Sequence, residues 1–301
     1  MRSFFLRYNG CGDKMFVKMI GVSMNQGCDI EGTQLATAFL KQQGFVFEDE
    51  IVPLSELSNQ NGVKHGELIA DVCVRLKSSV KKVLLARDFP LIIGGDHALA
   101  MGSISANMRH DRAILWIDAH GDVNTPQTSE TKRAHGMPLA ALMGYGDPRF
   151  LNIIDQPYVS ADQIIMFGIR SLDDPEVVFL REKGIRYITA EEIRDRGEKA
   201  CIEEVVRHCK RYAHTHISFD LDSIDPAYCP GVSTPVVRGL HPSTPLNLIS
   251  TLFNTVSIRS MDIVEFNPLL DNGDSFTIVK ETLKIVSRKV NEYSYALNLE
   301  Q

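Results

Sequence analysis

The stretch Ile114–Asn124, ILWIDAHGDVN, contains both a predicted strand and a candidate functional site. It opens with an apolar run typical of a buried strand, and polar residues then follow at every second position. Because side chains alternate between the two faces of an extended chain, Asp118, His120 and Asp122 are predicted to share one side of the strand end. Carboxylates crowded into one desolvated pocket cannot all stay ionised at low cost unless a cation lies among them. The stretch therefore predicts a divalent metal site.

Apolar runs suited to strands alternate with helix-period segments along the rest of the chain. Such alternation implies crossover connections, and hence a mainly parallel, twisted sheet with helices on both faces. We expect strands at Phe16–Val22, Phe45–Val52, Leu91–Ile93, Ile114–Ile117, Ile164–Ile169, Ile185–Ile188, His216–Leu221 and Ser260–Phe266. We expect helices at Glu31–Gln43, His65–Arg87, Ala98–Arg109, Pro175–Lys183, Glu198–Tyr212, Thr244–Val256 and Ser275–Glu292.

The fold class is thus α/β, a three-layer α/β/α sandwich. We expect a single catalytic domain over residues 15–301, preceded by an N-terminal leader at residues 1–14.

The 32 basic and 38 acidic residues give a net charge of −6, and no basic cluster predicts a nucleic-acid partner. The six cysteines form no CxxC pair, which argues against a disulfide framework and a structural zinc site. No apolar segment is long enough for a signal or membrane helix, so we expect a cytoplasmic protein without a membrane partner.

Polar residues also follow other predicted strands, at the edge where parallel sheets bind ligands. The turn GGDH at residues 94–97 would aim His97 into the cleft, and Asp220 and Asp222 alternate after another strand. With the first stretch, these strand ends supply four Asp and two His. This oxygen-rich donor set suits two hard to borderline divalent ions such as Mn²⁺ better than a closed thiolate site for zinc.

Two further residues belong to this set by position. His135 follows the first cluster by a short polar loop, and a histidine pKa suits a proton carrier. Glu265 ends another apolar strand. Either residue alone is better explained by packing, but as members of a set at strand ends both are interpreted as functional. Solvated or packing roles are expected for His208, His214 and His216.

The order and spacing of these motifs resemble the ureohydrolase family and, within it, the arginases most closely. The motifs are GGDHA (94–98), DAHGDVNTP (118–126), HG (135–136), SFDLDSIDP (218–226), GVSTP (231–235) and EFNP (265–268). The resemblance implies a single three-layer domain, a binuclear manganese centre that Co²⁺ could also occupy, and a homo-oligomer, either trimer or hexamer. It also implies hydrolysis of L-arginine to L-ornithine and urea.

The family pattern assigns roles residue by residue. One ion would be held by His97, Asp118, Asp122 and Asp220, and the other by His120, Asp118, Asp220 and Asp222. A hydroxide between the ions would attack the guanidinium carbon. Glu265 would orient the guanidinium group, His135 would shuttle protons and Thr234 would line this end of the pocket.

The loop after Asp122 is expected to bind the other end of the substrate. The resemblance implies that Asn124, Ser129 and Thr131 bind the α-carboxylate, and that Asp173 contacts the α-ammonium group, although neighbouring Asp174 leaves the register open by one residue. Agmatine has no α-carboxylate, and a site built to hydrogen-bond a group can reject a substrate that lacks it.

Two departures from the pattern keep alternatives open. Residues 25–33 read NQGCDIEGT where many arginases have a loop rich in Arg and Gly, and Lys132 and Arg133 precede Ala134. An agmatinase or another guanidino-acid hydrolase therefore remains an alternative. A single-metal zinc deacetylase of related fold would need only two Asp and one His. A non-catalytic binding relative is disfavoured because every expected ligand is present.

Overall fold

A computed structural model of the chain describes residues 15–54, 62–106 and 111–299, with the last seven described by their backbone alone. The expected leader at residues 1–14 lies outside this part. The strands described are β1 (Val17–Val22), β2 (Asp49–Ile51), β3 (Phe89–Ile93), β4 (Arg112–Ile117), β5 (Ile164–Ile169), β6 (Arg186–Thr189), β7 (His214–Asp220) and β8 (Ile258–Val264). They form one eight-stranded sheet in the order β2-β1-β3-β8-β7-β4-β5-β6. Each neighbouring pair among these strands is parallel, which confirms the predicted fold class.

Helices cover both faces of the sheet. The described helices are α1 (Ala36–Gln42), α2 (Gly66–Leu85), α3 (Ala100–Ser105), α4 (Pro138–Leu142), α5 (Pro148–Leu151), α6 (Asp174–Lys183), α7 (Ala190–Arg196), α8 (Glu198–Cys209), α9 (Ser243–Thr255) and α10 (Asp274–Leu299). Helices α2 to α6 pack in one apolar cluster, and α1 and α7 to α10 pack in the other. None of the helices in the described part of the chain combines the length and the apolar composition needed to cross a bilayer.

Strand β4 shows how the sequence builds these layers. Its side chains are all buried, with Ile114 and Trp116 in one apolar cluster and Ala113, Leu115 and Ile117 in the other. A strand covered by helices on both faces has no solvent side, so its sequence is a continuous apolar run. This run ends where polar residues begin, and the change marks the edge of the sheet at which a ligand can bind.

The strand order brings the polar strand ends together. Strand β7 lies between β4 and β8, and β8 also pairs with β3. In register, Ile117 of β4 is opposite Phe219 of β7, and Phe219 is opposite Ile263 of β8, which is also opposite Ile93 of β3. The residues that follow these positions therefore emerge side by side at the centre of one edge.

The structure differs from the sequence prediction mainly in its short elements. The strand expected at Phe45–Val52 is reduced to β2 at the sheet edge, and the helix expected at Ala98–Arg109 is a 3-10 turn at His97–Leu99 followed by α3, with residues 107–109 outside the described chain. Helices α4, α5 and α7 were not predicted, because elements of four to seven residues are too short to show a clear helical period.

Helices α2 and α3 approach each other closely at Gly102. A Cβ atom on this glycine would lie 2.5 Å from the carbonyl oxygen of Cys73 and 2.9 Å from its Cα. Both atoms belong to the backbone of α2, so they cannot move aside like the end of a side chain. Because α3 follows directly after the turn that holds His97, this contact also fixes one wall of the site.

Gly102→Ala should destabilise the fold by about 1–3 kcal/mol, because the added methyl group forces α2 and α3 apart. Urea unfolding followed by circular dichroism measures the change. Gly136→Ala is the matched control, since a Cβ atom there meets nothing within 4 Å. Equal stability of the two variants would show that the close contact does not constrain the helix pair.

Candidate metal centre and substrate pocket

The two central strand ends use the same turn. Asp118 follows β4, and its Oδ1 accepts a hydrogen bond of 2.7 Å from the amide of His120. Asp220 ends β7, and its Oδ1 accepts one of 2.7 Å from the amide of Asp222. In each case an aspartate side chain bonds the backbone two residues further on, as in an Asx turn. The spacing of two between polar residues therefore arises from a turn.

The polar side chains were predicted to share one face of an extended strand, but the structure brings them together through this turn. Asp122 adopts a left-handed conformation with φ of 54°, and Asp222 lies in a 3-10 turn at Leu221–Ser223. The alternation of strand side chains selected residues that lie close together in the structure, but the chain leaves the strand conformation after the first carboxylate of each pair. A left-handed non-glycine residue is strained, and such strain is common at functional sites.

His97 faces three of the carboxylates. Its Nδ1 lies 2.9 Å from Asp118 Oδ2, 3.1 Å from Asp220 Oδ2 and 3.2 Å from Asp122 Oδ2. This nitrogen is buried and, among the described residues, has no partner in hydrogen-bonding geometry. Separations of about 3 Å are those of neighbouring ligands around a divalent ion with bonds of about 2.1 Å. The donor set therefore fits a metal ion at this position.

His120 faces a second group. Its Nδ1 lies 3.0 Å from Asp222 Oδ2 and 3.5 Å from Asp118 Oδ1. Each group can hold an ion: His97, Asp118 and Asp220 form one, and His120, Asp118 and Asp222 form the other. Asp118 offers a different oxygen to each imidazole, so the structure places it between two adjoining sites. A single-metal hydrolase would leave the second group unexplained.

The buried carboxylates and imidazoles of the site shift one another's pKa values. Burial and the negative charges of Asp222 and Asp118 hold the pKa of Asp220 well above its ordinary value. Burial and the charge of Asp118 raise the pKa of Asp122 to about 6. Burial alone would lower the pKa of His97, but the surrounding carboxylates outweigh it and raise this pKa. A divalent cation would relieve the repulsion among the carboxylates directly.

Side chains of strands β4 and β7 hold the ring of His97 in place. It stacks on the indole of Trp116 with ring centroids 3.9 Å apart, and its Nε2 lies 2.9 Å from Ser218 Oγ. Behind them Asp262 accepts a hydrogen bond of 2.6 Å from Ser103 Oγ, and His216 Nε2 lies 3.1 Å from its Oδ2. His216 is thus a buried packing residue of the sheet, as expected. The contact with Ser218 leaves Nδ1 of His97 as the nitrogen that faces the carboxylates.

Glu265 and His135 lie beside this cluster. Glu265 follows β8 with φ of 61°, and its Oε1 accepts a hydrogen bond of 3.0 Å from the amide of His97. Its Oε2 is buried and has no hydrogen-bond partner among the described residues. His135 Nδ1 lies 3.4 Å from Glu265 Oε1. Burial alone would lower the pKa of His135, but Glu265 raises it above its ordinary value.

The proposed substrate loop is joined to the start of α6. Asn124 Nδ2 donates to Asp173 Oδ2 at 3.0 Å, and Asn124 Oδ1 accepts from Thr128 Oγ1 at 2.8 Å. Asp173, and not Asp174, therefore has the contact with Asn124. On the metal side, Thr234 Oγ1 donates to Asp222 Oδ2 at 3.1 Å. Thr128 was not selected from the sequence, although its hydroxyl is the one that contacts Asn124.

The other residues expected in this loop have local partners. The Ser129 hydroxyl is buried and accepts from the amide of Lys132 at 3.0 Å, whereas the exposed Thr131 accepts from the amide of Arg133 at 3.3 Å. Lys132 Nζ donates to the Pro126 carbonyl at 2.7 Å, so this ammonium group closes the loop upon itself.

Two residues without a predicted role, Glu176 and Arg170, hold the site together. Glu176 accepts from the amide of Val123 at 3.2 Å and from the amide of Asp173 at 3.0 Å, joining the loop to α6, and burial raises its pKa to about 7. The Asp-x-x-Glu spacing of a capping box was the available signal. Arg170 donates to the carbonyl groups of Asp222 and Val236 at 2.7 Å each, and so fixes the loop that carries Thr234.

Comparison with known proteins shows the family to which the chain belongs. A profile described as the Arginase family matches residues 17–287. The chain is 33% identical to the arginase of Bacillus caldovelox over 89% of this chain and 96% of that one, and 32% identical to the arginase of Bacillus subtilis strain 168 over 91% and 98%. The native structure of the Bacillus caldovelox arginase superposes with a TM-score of 0.82 at 32% identity over 89% of this chain and 97% of that one. The structure of Entamoeba histolytica arginase in complex with L-ornithine gives a TM-score of 0.82 at 28% identity over 90% and 98%. The chain therefore belongs to the arginase family.

Proposed function

We propose that this protein is a binuclear manganese hydrolase that cleaves L-arginine to L-ornithine and urea. One observation carries the proposal: two imidazole nitrogens face buried carboxylates in two adjoining groups that share Asp118. Membership of the arginase family and the position of Glu265 beside these groups support the same reaction.

The six residues His97, Asp118, His120, Asp122, Asp220 and Asp222 would hold the two ions. Their oxygen-rich set suits Mn²⁺, and Co²⁺ accepts the same donors. Bound ions of this kind supply Lewis acidity and make a water nucleophile available near neutral pH. The protein's own contribution is to fix the donors in place, through the Asx turns at Asp118 and Asp220 and the contacts behind His97.

Glu265 and His135 would act on the guanidinium end of the substrate. A buried carboxylate with a free oxygen can accept charge-assisted hydrogen bonds from a guanidinium group and so fix its orientation. His135 is 19% exposed, so it lies between this carboxylate and solvent, where it could carry a proton to the departing amine. Thr234, bonded to Asp222, would line the same end.

Asn124, Ser129, Thr131 and Asp173 would bind the amino-acid end. The hydrogen bond between Asn124 and Asp173 supports this assignment, because it brings a donor for a carboxylate next to an acceptor for an ammonium group. Such a pair matches the two charged groups of an α-amino acid. Agmatine keeps an ammonium group but has no carboxylate for the Asn124 side of the pocket to bind, so it should be the poorer substrate.

The homo-oligomer, either trimer or hexamer, and the cytoplasmic location remain predictions that follow from the resemblance and from composition. The extent of the catalytic domain over residues 15–301 is likewise a prediction.

The first test is urea release from L-arginine and from agmatine by purified protein that has been stripped of metal and reloaded with Mn²⁺ or Co²⁺. We expect release from L-arginine with either ion, with no release from the stripped protein and little from agmatine. Release from agmatine in preference to L-arginine would overturn the substrate assignment. No release from either compound would overturn the proposed reaction.

A pair of variants tests the amino-acid end. Asp173→Asn should raise KM for L-arginine by at least about 10-fold, equivalent to roughly 1.4 kcal/mol, because it removes the negative charge beside Asn124. Its effect on kcat should be smaller, since Asp173 lies away from the reacting carbon. Asp174→Asn is the matched control one residue along, and it should leave KM unchanged. The opposite result would place the ammonium contact at Asp174.

A further inference from the structure

A second cluster of metal-binding side chains lies beside the six-residue centre. A thiol from Cys28, an imidazole nitrogen from His135 and a carboxylate oxygen from Glu265 all lie within 4.8 Å of one another. They come from three separate parts of the fold: the loop after β1, the 3-10 turn at Ala134–Gly136 and the segment after β8. The roles proposed for His135 and Glu265 in the reaction do not involve the thiol.

The loop holds Cys28 firmly in this position. The amide of Gly27 donates to Asp96 Oδ2 at 2.8 Å, and the Gly27 carbonyl accepts from the amide of His135 at 3.2 Å. A Cβ atom at Gly27 would lie 2.1 Å from Asp96 Oδ1, so a larger residue does not fit there. Cys28 is fully buried, and the carbonyl group of the residue before it is bonded to the backbone of its imidazole neighbour.

Glu265 provides an independent sign that a cation fits here. Its Oε2 is buried without a hydrogen-bond partner among the described residues, although Glu265 is only 1% exposed. Burial and the charges of Glu265 and Asp96 raise the pKa of the Cys28 thiol, because a second anion is unfavourable in this pocket. A divalent ion reverses that balance, since a coordinating thiol is deprotonated outright.

We propose that Cys28, His135 and Glu265 form a separate inhibitory site for Zn²⁺. Sulfur, nitrogen and oxygen from three side chains, with a fourth position left for water, are a ligand set that zinc favours. The six-residue centre has only oxygen and nitrogen donors, so the thiolate is the feature that favours zinc at this site and that distinguishes the two sites. On binding, the zinc–sulfur bond forms and the thiol proton is released to solvent.

The inhibition rests on the proposed function. An ion at this site would occupy Glu265 and His135, the two residues assigned to the guanidinium end of the substrate. Zinc should therefore compete with L-arginine while both manganese ions stay bound. Of the three ligands, His135 is the one that solvent reaches, with 19% of its side chain exposed, so an ion would enter from the substrate side.

X-ray absorption at the zinc edge tests the site without relying on activity. One equivalent of Zn²⁺ is added to the manganese-loaded protein, and retained manganese is measured on the same sample. We expect one sulfur neighbour at about 2.3 Å from zinc, lost in Cys28→Ser and kept in Cys229→Ser, a matched control at another buried cysteine. A zinc shell of nitrogen and oxygen alone, or a sulfur neighbour that persists in Cys28→Ser, would overturn the proposal. If Cys28→Ser does not fold, as judged by circular dichroism, Cys28→Ala replaces it.

Kinetics then test the inhibition separately. Zinc should raise the apparent KM for L-arginine without lowering kcat, and Cys28→Ser should raise the zinc inhibition constant by at least about 10-fold. A zinc–sulfur bond without any effect on urea release would overturn the inhibitory role. If the protein released no urea at all, the absorption experiment would still decide whether the zinc site exists, so the two proposals can fail independently.

Discussion

The burial of four carboxylates in one place is the constraint on which this structure depends. Asp118, Asp122, Asp220 and Asp222 are at most 5% exposed, and the two imidazoles that face them, His97 and His120, cannot neutralise them all. Buried charges without partners cost several kcal/mol each, so such a cluster persists only with strong compensation. Divalent ions bound between these side chains would provide it. The surrounding fold is arranged to hold the donors together despite their repulsion.

Two features of the fold hold the metal-binding side chains in place. The parallel sheet sets β4 and β7 side by side, and each ends in an aspartate whose side chain bonds the amide two residues on. A buried polar line through Ser218 and Asp262 then fixes the ring of His97 from inside the sheet. The chain therefore supplies preformed donors, and a bound ion need not order them.

The fold and the six metal-binding candidates could be predicted from the sequence, because an apolar run that ends in alternating polar residues is a strong local signal. The sequence does not predict which segments far apart in the chain come into contact. Glu176 joins the loop at Val123 to α6, and Cys28 lies against His135 and Glu265, yet no local pattern indicates either contact. The left-handed conformations of Asp122 and Glu265 are also set by tertiary packing, since neither residue prefers them.

Anomalous diffraction at the manganese edge, from crystals of the protein loaded with Mn²⁺, tests the central claim most directly. The account predicts two peaks about 3.5–4 Å apart, one beside Nδ1 of His97 and one beside Nδ1 of His120, both within reach of Asp118. A single peak, or peaks away from these residues, would contradict it.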